Sequence, residues 1–171
     1  TNSNIMKLPA LSVLLLLMLA LPAQAQIETH QATFIFNFSR LIQWPNIHNS
    51  SVFTIAVFGR NHPLTSELKS AAQGRNVGGR EIAIVEYNSI DDLQYCHMLF
   101  VPNNRLNQIK NASDALSGQP TLIITESQGR VPDESVINMY LENSRLGFRL
   151  NEDNARKRNL QVSTQLLNFS R

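Results

Sequence analysis

Hydrophobic and polar positions have two kinds of spacing along the chain, one typical of helices and one typical of buried strands. Four short apolar segments rich in β-branched and aromatic residues predict strands covered on both faces. They occupy residues 52–58, 81–87, 96–101 and 121–125. Residues 63–72 and 103–116 have the spacing of surface helices, and residues 28–43 predict a helix with a wide apolar face that ends at Trp44-Pro45.

The spacing of the apolar segments changes after the fourth predicted strand. Residues 136–141 and 146–150 are closely spaced apolar segments and predict a hairpin. Residues 151–158 predict a short helix, and residues 163–169 predict a terminal helix that docks its leucines and phenylalanine on the body. The alternation of strands and helices predicts a single-domain α/β fold with three layers. We expect a mostly parallel sheet of about six strands, a C-terminal antiparallel hairpin and helices on both faces.

The beginning of the chain has the pattern of a secretory signal peptide. Lys7 precedes an almost unbroken apolar run at residues 8–21, and Ala23-Gln24-Ala25 offers the small residues that a signal peptidase needs. An uncleaved anchor is the alternative, but about fourteen apolar residues span only about 21 Å of helix, against a hydrocarbon core of about 30 Å. We therefore expect cleavage before Gln26 and no membrane insertion afterwards.

This cleavage divides the chain into two parts. The signal peptide takes residues 1–25, of which residues 1–5 precede the plausible initiator Met6, and the α/β domain takes residues 26–171. We expect the mature protein to be exported to an oxidising compartment. Its single cysteine, Cys96, can form a disulfide only between chains, and a buried, unreactive thiol is the favoured state.

Composition and charge exclude several classes of protein. The 171 residues are 43% hydrophobic and 16% charged, which fits one globular domain and not a disordered chain. Fifteen basic against thirteen acidic residues leave a net charge of only +2, so there is no polybasic surface for nucleic acid. One cysteine also excludes a disulfide scaffold.

The sequence shows no convergent catalytic or metal-binding pattern. Its four histidines are scattered, without the clustered spacing of a zinc site. Cys96 and His97 are neighbours on a predicted strand, so their side chains point to opposite faces and cannot form a dyad. Gly78-Gly79 precedes a strand and predicts a turn, not a dinucleotide-binding loop, and no G-x-S-x-G motif occurs. We expect a protein that is not an enzyme and that uses no metal or cofactor.

Five strings, taken together and in order, resemble the YfiR family of exported bacterial proteins, also called the DUF4154 family. They are ATFIFNFSRLIQWP from residue 32, FTIAVFGRNHP from residue 53, GREIAIVEYNSIDDLQYCHMLFV from residue 79, GQPTLIITES from residue 118, and VINMYLENSRLGFRLNEDNARKRNLQVSTQLLNFSR from residue 136. The most specific features are the aromatic helix ending in Trp44-Pro45, the Cys96-His97 strand and the Asn154-Ala155-Arg156 segment. The resemblance covers essentially the whole expected mature chain.

The resemblance implies a periplasmic regulator. It implies binding to the periplasmic sensory part of an inner-membrane diguanylate cyclase, which is held inactive, so that cyclic-di-GMP and biofilm formation are lowered. It also implies a homodimer, although with only Cys96 the chain lacks the paired cysteines of a disulfide-based switch. Because the family is broad, a sensor kinase or an outer-membrane receptor system is the alternative partner.

Two candidate surfaces follow. Phe34, Phe38 and Trp44 either pack on the sheet or form a partner or dimer surface, since one helix cannot bury every aromatic residue of this segment on one face. The alternative function is a periplasmic small-molecule sensor or binding module. Its ligand would bind at the second candidate surface, which lies at the carboxyl ends of the parallel strands. The candidate loops at this surface are residues 59–61, 101–103 and 126–128. An unrecognised hydrolase is a third, less favoured possibility.

Overall fold

The structure, a computed structural model, describes residues 22–170, so all but the last four residues of the predicted signal peptide lie outside the described residues. The helices are α1 (Pro22–Leu41), α2 (Pro63–Ala72), α3 (Ile109–Ala115), α4 (Glu152–Lys157) and α5 (Thr164–Phe169), with 3-10 turns at Ile47–Asn49 and Asn103–Gln108. The strands are β1 (Ile42–Gln43), β2 (Val52–Phe58), β3 (Asn76–Val77), β4 (Arg80–Tyr87), β5 (Met98–Val101), β6 (Leu122–Glu126), β7 (Ile137–Glu142), β8 (Arg145–Leu150) and β9 (Gln161–Val162).

The main sheet is mostly parallel, as predicted. Within residues 22–170 it has seven strands in the order β3-β4-β2-β5-β6-β7-β8, of which β3 and β8 pair antiparallel at the two edges. The seventh strand, β3, lies in a segment predicted to be only a turn. Gly78 and Gly79 adopt positive φ angles of 57° and 80°, which glycine tolerates, and so return the chain to pair Val77 with Arg80. The predicted C-terminal hairpin is β7–β8.

Helices cover both faces of this sheet, which confirms the three-layer prediction. Along β2, Phe53, Ile55 and Val57 face the larger core, which they share with residues of α1, α2, α4 and α5. Ala56 and Phe58 face the opposite core, which is closed by α3. The alternation follows from the two-residue period of a strand, and the apolar side chains on both sides explain why these strands read as continuous hydrophobic runs.

The first helix is shorter at its C-terminal end than predicted. α1 ends at Leu41, because residues 42 and 43 leave the helix and pair antiparallel with β9 as Ile42↔Val162 and Gln43↔Gln161. The segment predicted as one surface helix at 103–116 is a 3-10 turn followed by α3. The β1–β9 ribbon matters for the site because it holds the C-terminal α5 against α1.

Candidate partner-binding site

The aromatic residues of α1 point in different directions and almost all of them are buried. Phe36 is buried on one flank, beside the segment that follows α2, where the Arg75 guanidinium lies 5.4 Å from its ring centroid. Phe38 is buried on the other flank, with its ring centroid 5.0 Å from that of Phe148 in β8. Only Phe34 remains half-exposed, at 5.9 Å from both of these rings. The aromatic residues of this segment are thus not buried on one face of the helix, as expected, and neighbouring elements cover α1 on two flanks instead.

Trp44 is also buried and is not exposed on the surface. It is 5% exposed, its ring meets Phe53 edge-on at 5.0 Å, and its Nε1–H donates a hydrogen bond of 3.0 Å to the backbone oxygen of His97. Neither Trp44 nor Phe38 has a side chain on the surface of the chain. Of the three predicted surface residues, Phe34 alone is half-exposed, and its ring lies 5.9 Å from that of the buried Phe38.

The last helix completes a groove beside α1. The backbone N–H of Ser163 donates to the Leu41 oxygen at 2.9 Å, and the Ser163 hydroxyl caps α5 by accepting from Leu166 N–H at 3.2 Å. Leu166 is buried against the body, as the sequence predicted. Phe169 is not docked: its side chain is 62% exposed, because the single face of this short helix is already used by Leu166.

The resulting α1–α5 groove has a volume of about 640 Å³. It is lined by Phe34, Asn37, Arg40 and Leu41 from α1, Tyr140 from β7, Leu146, Gly147 and Phe148 from β8, and Gln165, Leu166 and Phe169 from α5. Half-buried aromatic and aliphatic groups with a few polar groups at the margin are typical of protein-binding surfaces. The contribution of β8 and α5 was not predicted, since nothing in their local sequence shows that they lie beside Phe34.

A second groove lies on the opposite flank of α1. It has a volume of about 1010 Å³ and is lined by Phe36, Trp44, Val77 and Ile47 together with polar groups, including Arg40 and Arg75. Its walls are more polar than those of the α1–α5 groove. Arg40 and Asn37 line both grooves, so the exposed ridge of α1 separates the two.

The carboxyl ends of the parallel strands hold a polar cluster. The strand order reverses between β2 and β5, which is where ligands bind in open α/β sheets. Glu86 at the end of β4 accepts hydrogen bonds from Asn61 N–H, His62 N–H and the Thr65 hydroxyl, at 3.0, 3.1 and 2.5 Å. These bonds lower the Glu86 pKa although burial opposes them. The predicted loop at 59–61 therefore does join this edge.

One buried carboxylate oxygen near this cluster, Oε2 of Glu28, lacks a hydrogen-bond partner among the described residues. Gln31, a residue only 2% exposed, lies beside Glu126. Burial raises the pKa of the Glu126 carboxyl, a side-chain hydrogen bond with Gln31 opposes this shift, and the Glu28 charge adds to it. Burial also lowers the pKa of His62, against the charges of Glu28 and Glu86. The sequence contained a signal for Gln31, since it is a polar residue on the apolar face of the predicted helix.

Cys96 and His97 immediately precede β5, which begins at Met98 and not at the predicted residue 96, but their side chains enter separate layers as predicted. The Cys96 thiol is buried in the core closed by α3, where burial raises its pKa to about 12. The His97 ring stacks on Phe53 in the other core, at 4.5 Å between centroids. The prediction of a buried thiol is confirmed, and no thiolate–imidazole pair forms.

Within residues 22–170, no three histidine, cysteine or acidic side chains converge in a way that could hold a metal ion. No helix in the same part of the chain combines the length and hydropathy needed to cross a bilayer.

Comparison with known proteins gives one family. Residues 28–171 match the family described as YfiR/HmsC-like, which confirms the sequence resemblance over nearly all of the expected α/β domain. No curated protein matches the chain.

Proposed function

The chain belongs to the YfiR/HmsC-like family, and on that premise we propose that it represses an inner-membrane diguanylate cyclase by binding the enzyme's periplasmic sensory domain. Membership supports a periplasmic, regulatory role in the diguanylate cyclase system in general. In the proposal, repression lowers cyclic-di-GMP and biofilm formation. A family match over residues 28–171 is the observation that carries it.

The α1–α5 groove is the surface that we assign to this binding. Phe169 projects from α5 with 62% of its surface exposed, and half-buried Phe34 lies in the same groove. Exposed aromatic groups beside a hydrophobic groove favour a protein partner, because covering them removes apolar area from water at roughly 25 cal/mol per Å².

A crosslinked pull-down tests the proposal. The exported chain serves as bait on the organism's own membranes, in parallel with Phe169→Ser and with Val52→Ser, which alters an exposed apolar residue outside the groove. We expect a cyclase with a periplasmic domain to be recovered by the unmodified chain and by Val52→Ser, and to be depleted with Phe169→Ser. Recovery of a sensor kinase or an outer-membrane receptor instead would contradict repression of a cyclase and assign the protein to another signalling pathway.

A small-molecule sensor is the second candidate, and the buried Oε2 of Glu28, which has no hydrogen-bond partner among the described residues, favours it. A ligand with a hydrogen-bond donor would satisfy this oxygen, which otherwise costs free energy in the folded state. Thermal shift against a metabolite panel tests this idea. A stabilising ligand should lose its effect in Glu28→Leu, and a panel without any stabilising compound would count against the sensor.

We also propose that the chain works as a homodimer. Cys96 cannot link the two copies in their folded state, since its sulfur is buried. Light scattering on the exported protein should therefore give twice the chain mass in both the presence and the absence of a reductant, and a monomer mass at micromolar concentration would contradict the dimer.

A further inference from the structure

One edge of the main sheet is long and unpaired. Among the strands of residues 22–170, β8 (Arg145–Leu150) is the last in the sheet order and pairs only with β7. Among residues 22–170, no backbone hydrogen bond outside this hairpin involves the six residues of β8. The opposite edge strand, β3, has only two residues. Native sheets usually shorten, cover or charge their edges, because a free row of N–H and C=O groups is a template for another strand.

The free edge is continuous with the α1–α5 groove. Leu146 and Phe148 point toward α1, and both line the groove together with Gly147 of the same strand. On the opposite face of the strand the Tyr140 ring covers Gly147, since a Cβ atom there would lie 2.8 Å from the ring. An added strand would place alternate side chains against Leu146 and Phe148, so those side chains should be apolar.

The other face of β8 is basic. Arg145 and Arg149 are exposed on the face that Gly147 and Tyr140 share, and the Arg149 guanidinium lies 4.6 Å from the Tyr140 ring centroid. Glu142 pairs with Arg145 and is the one acidic residue in the β7–β8 hairpin. An added strand would therefore find positive charge on this face.

We propose that the partner docks by adding an extended segment to the β8 edge, with apolar residues facing α1 and acidic residues facing Arg145 and Arg149. This proposal rests on the proposed function and specifies how the groove binds. A second copy fits less well, because antiparallel self-pairing centred on Gly147 would set Arg145 of each copy opposite Arg149 of the other, and like charges directly opposite destabilise a strand pair. Main-chain hydrogen bonds would supply affinity, and the alternating side chains would supply specificity.

Binding of a designed strand tests this mode. The probe is a fluorescein-labelled peptide of sequence Glu-Val-Glu-Phe-Glu-Val-Glu, compared with its Lys-for-Glu analogue and with a scrambled Glu-Glu-Val-Phe-Val-Glu-Glu peptide. Anisotropy measures affinity for the exported chain, and hydrogen exchange read by mass spectrometry locates the site. We expect the acidic alternating peptide to bind more tightly than both controls and to slow amide exchange in residues 145–150.

Charge reversal at the edge should weaken the peptide. We expect Arg145→Glu combined with Arg149→Glu to reduce affinity by roughly tenfold or more, as the loss of two complementary charges does at an interface. Arg60→Glu combined with Lys157→Glu makes the same change in net charge at exposed sites outside β8 and should leave affinity unchanged. Equal binding of the three peptides, absent binding, or binding without slower exchange in residues 145–150 would overturn the strand-addition mode.

The two proposals fail separately. If the peptide binds at β8 but deletion of the gene leaves cyclic-di-GMP unchanged, the docking edge stands and the repressor function is wrong. If deletion raises cyclic-di-GMP while the peptide tests are negative, the function stands and the docking mode is wrong. Dimerisation that is abolished by the edge variant would instead assign β8 to a second copy and contradict the proposed occupant.

Discussion

His97 is hydrogen-bonded both to β2 and to the segment that follows β1. Its Nδ1 accepts the Thr54 backbone N–H at 3.1 Å, and its backbone oxygen accepts the Trp44 indole N–H. Since Nδ1 is an acceptor, the neutral ring carries its proton on Nε2, which is buried without a partner among the described residues. Burial, aided by the charge of Arg80, lowers the His97 pKa to about 4.

This shift makes the protein less stable in mild acid. The imidazole has an ordinary pKa of 6.5 and a folded-state pKa of about 4, so between these values the unfolded chain binds a proton that the folded chain excludes. The free energy of unfolding should therefore fall as the pH drops from 6.5 to 4, by roughly 3 kcal/mol from this group. Urea unfolding at several pH values measures the slope.

His97→Asn separates titration from packing. An asparagine oxygen can replace Nδ1 as the acceptor for Thr54, but it does not titrate. The variant should be less stable at pH 7 and should lose less stability on acidification than the unmodified chain. His30→Gln, at an exposed position, is the matched control for the loss of a histidine. A slope that is the same in all three proteins would contradict the assignment to His97.

Cys96 should be unreactive in the folded protein. A pKa raised from 9.0 to about 12 lowers the thiolate fraction at neutral pH by about a thousandfold, and burial blocks access as well. Reaction with a chromogenic disulfide reagent should therefore be at least that much slower in buffer than in urea. Rapid labelling of the native chain would show that the thiol is accessible and therefore able to form an interchain disulfide.

At the level of elements, α5 combines a structural residue with an exposed one. Leu166 is 2% exposed and holds the helix to the body, whereas Phe169, three residues later, points into solvent beside the groove. The sequence showed both as apolar residues of one amphipathic segment. It could not distinguish them, because which apolar residue is covered depends on the β1–β9 ribbon and on the position of α1, and both are set by contacts between distant parts of the chain.

Alanine substitution should separate these two roles. Leu166→Ala leaves a cavity under α5 and should cost about 2–5 kcal/mol of stability, measured by urea unfolding. Phe169→Ala removes an exposed side chain and should change stability by less than about 0.5 kcal/mol, while it weakens binding to the membrane partner. Equal destabilisation by both substitutions would mean that Phe169 is docked and unavailable to a partner.

At the level of the whole molecule, local patterns predicted the fold better than the site. Strand β2 and helix α2 have their predicted bounds, because a run of β-branched residues ending at Gly59 and a helix opened by Pro63 are locally determined. The α1–α5 groove brings together residues more than a hundred positions apart, and no periodicity in the sequence indicates that they lie close to one another. The sequence could not exclude Phe38 and Trp44 as surface candidates, because the neighbours that bury them, Phe148 and His97, are remote in sequence.

The cellular concentration of cyclic-di-GMP in a deletion strain tests the central claim most directly. The account predicts that deletion raises it, that the unmodified gene and Val52→Ser restore it, and that Phe169→Ser, although folded and exported, does not. An unchanged concentration after deletion, measured while the protein is normally expressed in the parent strain, would contradict repression of a diguanylate cyclase.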